Sequence, residues 1–179
     1  MVLLELFQDK TLKATQKRKV IIDALVKKEL SIEDVKKSCD ILKDKELAII
    51  LEAIEEITNK GYMEADIKYL LFAQDYILSH HNAIKRESSR IIGNLAVQFP
   101  DNLENAINCL IENTRHEGTV VRWGSAYALS RIIVLPQFAN TALYETLMSI
   151  AEKETESGVK NQYVKALKKA KKQRIVTGS

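Results

Sequence analysis

The sequence predicts an all-α protein built as a stack of about five helical hairpins, and three observations carry that expectation. Helix breakers are few, with 6 Gly and 2 Pro in 179 residues, and each would interrupt a helix interior at a cost. Five segments share one apolar phase, each with a short polar side chain at the same offset ahead of it. No stretch alternates apolar and polar residues with the period of two that marks a half-buried strand, so no sheet is expected.

The shared phase is clearest around Arg122. With that residue as position zero, small or apolar side chains fall at +3, +4, +6, +7 and +10: Ser125, Ala126, Ala128, Leu129 and Ile132. From Lys85 the same places hold Ser88, Ser89, Ile91, Ile92 and Leu95, and from Lys160 Tyr163, Val164, Ala166, Leu167 and Ala170. From Leu47 they hold Ile50, Leu51, Ala53, Ile54 and Ile57, and from Arg18 Ile21, Ile22, Ala24 and Leu25, with Lys28 spoiling the last place. Three residues before each zero stand Thr15, Asp44, Asn82, Thr119 and Ser157. Each is a residue type that caps a helix by accepting from an unpaired first-turn amide. Successive zeros are 29, 38, 37 and 38 residues apart, and the short first interval suits an abbreviated terminal repeat.

Between these second helices lie candidate first helices: Ser31 to Leu42 behind a Ser cap, Glu64 to Ser79 after Gly61, Asp101 to Asn113 after Pro100, and Gln137 to Lys153 after Pro136. Proline suits a helix start because its missing amide hydrogen would be unpaired there anyway. Gly118 and Gly158 fall in the turns inside the hairpins. The reading is one repeat domain over residues 1–174, in units of about 1–29, 30–60, 61–98, 99–134 and 135–174, followed by a flexible tail at 175–179.

Composition narrows the function classes. Against 24 acidic residues stand 27 basic ones, a net charge of +3, which is mild for a nucleic-acid protein. The two cysteines, Cys39 and Cys109, are far apart and have no Cys-x-x-Cys partner. That argues against a disulfide framework or structural zinc and for a reducing cytoplasm. Met1 to Lys10 lacks the basic front and long apolar core of a signal peptide, and no segment approaches a membrane span.

A two-helix unit carrying Val121-Arg122, Ala126, Ala128-Leu129 and Ile132 in its second helix resembles the HEAT repeat, an armadillo-type α-solenoid family. Val159-Lys160 with Ala166-Leu167 and Ala170 follows the same pattern, and Ile84-Lys85 with Ile91-Ile92 and Leu95 is a looser copy. The period is slightly short for that family, and Leu47 stands where a basic residue is usual. The tetratricopeptide repeat, with about 34 residues and a Trp-x-x-Leu-Gly pattern, does not fit. The resemblance implies a right-handed α-α superhelix whose second helices line a concave groove.

On such helices positions +1, +5 and +8, with +9 beside them, point away from the apolar stripe. They hold Lys19, Asp23 and Lys27, then Glu52, Glu55 and Glu56, then Arg86, Arg90 and Asn94. The fourth unit supplies Trp123, Tyr127, Ser130 and Arg131, and the last Asn161, Lys165 and Lys169. Trp123, Tyr127, Arg131, Arg86, Arg90, Asn94 and Lys165 form the candidate partner-binding groove, because Trp, Tyr and Arg dominate binding hot spots and Arg stacks on aromatic faces. The competing reading packs Trp123 and Tyr127 into the seam between units and leaves the arginines solvated. On the groove reading Trp123→Ala changes stability by within about 0.5 kcal/mol; on the seam reading it costs about 3–5 kcal/mol. Glu52, Glu55 and Glu56 read first as a solvated acidic stripe. Arg122 and Lys160 read as structural, pairing with an acid or carbonyl of an adjoining turn. The run Lys165 to Arg174, six basic residues without an acid, reads as a dipole-compensating polar end of the stack, with phosphate contact as the other option.

Catalytic chemistry is scarce. His80, His81 and His116 have no partners at metal-ligand spacing, and Cys39 and Cys109 read as buried thiols. There is no glycine-rich phosphate loop or Gly-x-Ser-x-Gly elbow, so no catalytic residue, metal or cofactor is expected. The leading expectation is a non-enzymatic scaffold gripping a protein segment in its groove. The second is a nucleic-acid-binding protein, since the chain broadly resembles the alkylpurine DNA glycosylases built from HEAT-like helices. Their concave faces use aromatics, basic residues and an aspartate, and here no aspartate lies on the stripe of units three to five; Glu87 is nearest.

Overall fold

The structure, a computed structural model, describes residues 2–176 and side chains as far as Arg174. Among them are eleven α-helices and no strand: α1 (Leu3–Gln8), α2 (Ala14–Val26), α3 (Ile32–Ser38), α4 (Asp44–Lys60), α5 (Ile67–Asp75), α6 (Asn82–Leu95), α7 (Glu104–Asn113), α8 (Thr119–Ile132), α9 (Pro136–Ala139), α10 (Leu143–Lys153) and α11 (Ser157–Val176). The helix α11 takes in two residues expected to be tail, and 177–179 lie outside the described residues.

The five helices that share the apolar phase form a continuous row: α2 packs on α4, α4 on α6, α6 on α8, and α8 on α11. The shorter helices lie against this row, α5 on α6, α7 on α8 and α10 on α11, while α1 reaches α3 and α3 reaches α5. One contiguous core runs through the chain. Ile50, Leu51, Ala53, Ile54 and Ile57 of α4 are all fully buried, as are Ser125, Ala126, Ala128, Leu129 and Ile132 of α8. In phase, Val164 is 49% exposed and Ile22 half-buried, and among the described residues no helix covers the Val164 flank of α11.

The helix starts differ from the expected caps by one residue or more. Asp44, Asn82 and Thr119 are the first helical residues rather than caps, Ser157 opens α11, and Thr15 lies inside α2. The reason is visible at α2 and α4, where the bond runs backwards: Gln16 Oε1 accepts from the Lys13 amide at 2.8 Å and Glu46 Oε2 from the Lys43 amide at 2.9 Å. This is the returning half of a capping box, and it makes the preceding lysine the boundary residue. Ser31 does cap, accepting from the Asp34 amide at 3.1 Å, and Asp66 caps α5 through the Lys68 amide at 2.8 Å, shortening the helix expected from Glu64. The helix expected over 137–153 is broken because the Thr141 hydroxyl donates to the Phe138 carbonyl and accepts from the Leu143 amide, a local bond that competes with helix continuation. A 3-10 turn over Pro100–Asn102 precedes α7.

Two helix ends need left-handed backbone. Gly61 closes α4 at φ 64°, where glycine carries no Cβ penalty. Lys28, the residue that spoiled the first stripe, closes α2 at φ 60° and pays that penalty. At the other end of α2, Lys17 is buried and its ammonium donates to the Phe7 carbonyl at 2.8 Å, tying α1 to the row.

Candidate functional site

The zero-position residues sit where α6 and α8 meet the next unit. Arg122 grips Glu154 with two nitrogens, at 3.0 and 3.3 Å, and donates to the His116 and Glu117 carbonyls at 3.0 and 2.9 Å. Burial pushes the Glu154 carboxyl up, but hydrogen bonds from Arg122 and from the amides of Glu156 and Thr155 outweigh it and hold the group below the ordinary range. Lys85 plays the same part for Asn113, at 3.0 Å. Lys160 makes no such contact among the described residues.

The structure brings six of the seven groove candidates into one cluster on α6 and α8. Trp123 and Tyr127, one turn apart, are stacked with ring centroids 5.6 Å apart and planes at 30°. The Arg90 guanidinium lies 5.8 Å from the Trp123 centroid and 5.6 Å from that of Tyr127, and Arg131 covers the latter ring at 3.4 Å. Tyr127 is buried, its hydroxyl donating to Asn94 Oδ1 at 2.6 Å. Asn94 in turn donates to Thr58 Oγ1 at 3.1 Å and Glu55 Oε1 at 3.3 Å on α4. Burial drives the Tyr127 phenol pKa upward, against the pull of Arg131 and Arg90. Tyr127 is therefore a seam residue joining three helices, whereas Trp123 is half-buried. Neither sequence reading covered both aromatics. Lys165, the seventh candidate, is exposed on α11 and outside this cluster.

The acidic stripe is not solvated charge. Glu55 is buried and pairs with Arg90 at 2.8 Å; burial raises its carboxyl pKa, opposed by the Arg90 charge and the Asn94 hydrogen bond. Glu52 lies 3.6 Å from Arg18 and 4.0 Å from Arg86, and Glu56 pairs with Arg18 at 3.6 Å and Lys60 at 3.0 Å. A hydrogen bond from Lys60 lowers the Glu56 carboxyl pKa. Arg86 and Arg90 are thus engaged by the protein's own acids, whereas Arg131 donates to the Tyr127 carbonyl at 3.3 Å. Glu87 is the hub: its side chain is 2% exposed and binds Arg86 through Oε1 and Arg90 through Oε2, the latter at 3.1 Å. Its off-stripe position was visible in the sequence, but nothing there marked it as the anchor of both arginines.

Two glycines were also missed. A Cβ on Gly93 would stand 3.0 Å from Ala128 Cα and from the Tyr127 ring, and one on Gly124 would stand 3.1 Å from Arg86 Cα. These mid-helix glycines, unfavourable on propensity, let α6 and α8 approach closely enough to stack the cluster. A cleft of about 360 Å³ opens beside it, lined by Arg86, Arg90, Thr119, Val120 and Trp123; Val120 is 46% exposed.

Elsewhere chemistry is sparse. His80 meets Asp44 at 2.8 Å and His116 Nδ1 accepts from the Gly118 amide at 2.9 Å. Cys39 and Cys109 are free and half-buried rather than buried, and burial raises both thiols. Among the described residues no group of three His, Cys, Asp or Glu side chains is placed to hold a metal, and no helix is long and apolar enough to cross a membrane.

No family model and no curated protein matches this chain. Among solved structures it is similar to one described as the crystal structure of an engineered protein, at 16% identity and a TM-score of 0.56, over 98% of this chain and 83% of that one. A likeness at that identity is one of fold: the whole all-helical arrangement has a counterpart of nearly the same extent.

Proposed function

We propose that the chain is a HEAT-like right-handed α-α superhelix of about five hairpins that works without catalysis, binding a protein segment along the groove lined by its second helices. The observation that carries this reading is Trp123. The ring is pre-positioned by stacking on Tyr127 and by Arg90, yet is only half-buried and lines a cleft with Val120 exposed beside it. A large aromatic already fixed in place loses little entropy on binding, which is what makes such residues hot spots. The charges around it are balanced by in-chain acids, so the cleft suits an apolar side chain flanked by polar groups. Free thiols at Cys39 and Cys109 fit a reducing compartment, and we place the protein in the cytoplasm on that ground.

The nucleic-acid reading of the same groove, with its resemblance to alkylpurine DNA glycosylases, draws less support. It needs Arg86 and Arg90 for phosphate, and Glu52, Glu55 and Glu87 already neutralise them.

Trp123 is the sole tryptophan, so its fluorescence reports on the cleft directly. Segments captured on wild type should shift its emission and protect it from acrylamide. Trp123→Ala should stay folded, at a cost of about 2 kcal/mol for a half-buried ring, and bind those segments at least tenfold more weakly. If the folded variant binds every one of them as tightly as wild type does, Trp123 is not the anchor.

A further inference from the structure

The charge of this protein is unevenly placed. The helix α11, Ser157–Val176, holds seven basic residues and no acid. Taking 7 from 27 leaves 20 basic residues against 24 acidic in the rest of the chain, so the whole positive excess resides on one helix. Lys165, Lys168, Lys169, Lys171 and Lys172 are all exposed. Among the described residues none of the five has a hydrogen-bond or ion-pair partner, unlike Arg174, which pairs with Glu145 at 2.8 Å. The opposite face of the helix, with Val159, Tyr163, Ala166, Leu167 and Ala170, is buried in the core, which fixes the lysine row outward.

Two ordinary explanations fall short. The helix dipole acts within the last turn, and the row begins about three turns before Val176. A polar end to the stack needs charge of either sign, as on α2, where Lys19, Asp23 and Lys27 mix both. On α11 the five lysines instead stand at the repulsive i,i+3 and i,i+4 spacings: 165 with 168 and 169, 168 with 171 and 172, and 169 with 172. Like charges so spaced destabilise a helix, and among the described residues no acid pairs with them.

We propose that the exposed face of α11 is a docking surface for the phosphate backbone of duplex nucleic acid, bound without sequence preference. Lysine is a point charge suited to phosphate, and from Lys165 to Lys172 no Arg, Asn or Gln stands to read base edges; Asn161, a turn earlier, is the one such side chain exposed on α11 among the described residues. From Lys165 to Lys172 the row rises about 10.5 Å, a length over which a duplex presents about six charges. An acidic protein segment would want apolar anchoring as well, and the outward row offers none beyond Val164. A membrane-inserting role is closed because the apolar face is already used. The surface is separate in its chemistry from the Trp123 cleft, whose charges are neutralised.

The experiment is binding of a fluorescent 24-base-pair duplex to the full chain across 50–200 mM salt, with circular dichroism on every variant. Five released counterions give a slope of log Kobs on log salt near −4.5, about a 500-fold loss over that range. Lys165→Gln/Lys168→Gln/Lys172→Gln should bring the slope to about −2, with matching losses for unrelated duplex sequences. The control Lys19→Gln/Lys27→Gln/Lys45→Gln, with the same charge change on exposed lysines of α2, its C-cap and α4, should bind as wild type does. No binding at 50 mM salt overturns the proposal. So does equal weakening by the control, which would reduce the effect to net charge. Tighter binding to poly-glutamate or to phosphatidylserine vesicles than to duplex overturns it too, in favour of an acidic protein or an anionic lipid surface.

Discussion

Glu87 supports two arginines on one carboxylate, and replacing it by Gln removes the charge while keeping the shape. Breaking a fully buried ion pair costs about 3–5 kcal/mol, and breaking an exposed one about 0–1 kcal/mol. The Glu87 side chain is 2% exposed, but Arg86 and Arg90 keep 33% and 24% of theirs, so water partly restores what the arginines lose. Arg90 also retains Glu55 at 2.8 Å, whereas Arg86 is left with Glu52 at 4.0 Å. The expected loss for Glu87→Gln is about 2–3 kcal/mol by interpolation between those limits, a fall in Tm of roughly 4–12 °C for a chain of this size. Urea unfolding followed by circular dichroism should show a lower midpoint at unchanged m. A double-mutant cycle with Arg90→Met should return a coupling of about 1–2 kcal/mol. A loss under about 0.5 kcal/mol would refute the reasoning and make the hub a solvated charge cluster.

Gly93→Ala should destabilise by about 1–3 kcal/mol despite alanine's better helix propensity, because its Cβ meets the Ala128 backbone and the Tyr127 ring at 3.0 Å; a gain in the urea midpoint would show that α6 and α8 have room to spare. Glu154 gives the pH test. Its carboxyl is held below the ordinary range, so its contribution is present above the unfolded value near 4.3 and is lost as pH falls through the depressed folded value. Urea midpoints from pH 7 to pH 3 should therefore fall less steeply in Glu154→Gln than in wild type, and parallel curves would remove the Arg122–Glu154 pair from the account.

The aromatic cluster shows how far sequence pattern reached. Phase alone put Trp123, Tyr127, Arg86, Arg90, Asn94 and Arg131 off the apolar stripe, and they do come together, because residues at equal phase on neighbouring parallel helices fall side by side. Phase could not say that Tyr127 would be buried and Trp123 half-open. That difference depends on how closely α6 approaches α8, which Gly93 and Gly124 set. Nor could it show that Glu55 would engage Arg90, since charges 35 residues apart in sequence become partners only when the row assembles, nor that Glu87, although on the same helix as Arg86 and Arg90, would be buried beneath both.

By itself the sequence determined the helical class, the five long helices and nearly all of their buried faces, because a 3.6-residue periodicity is a local property that survives without knowledge of neighbours. The burial of Tyr127 and the pairing of Glu55 with Arg90 were decided by tertiary structure. Each depends on what lies across a gap from the helix: the α6 backbone at Gly93 against the Tyr127 ring, and the Arg90 guanidinium of α6 for Glu55 on α4. Burial of a charge is tolerable only with a partner in place, and partners are supplied by packing, not by periodicity.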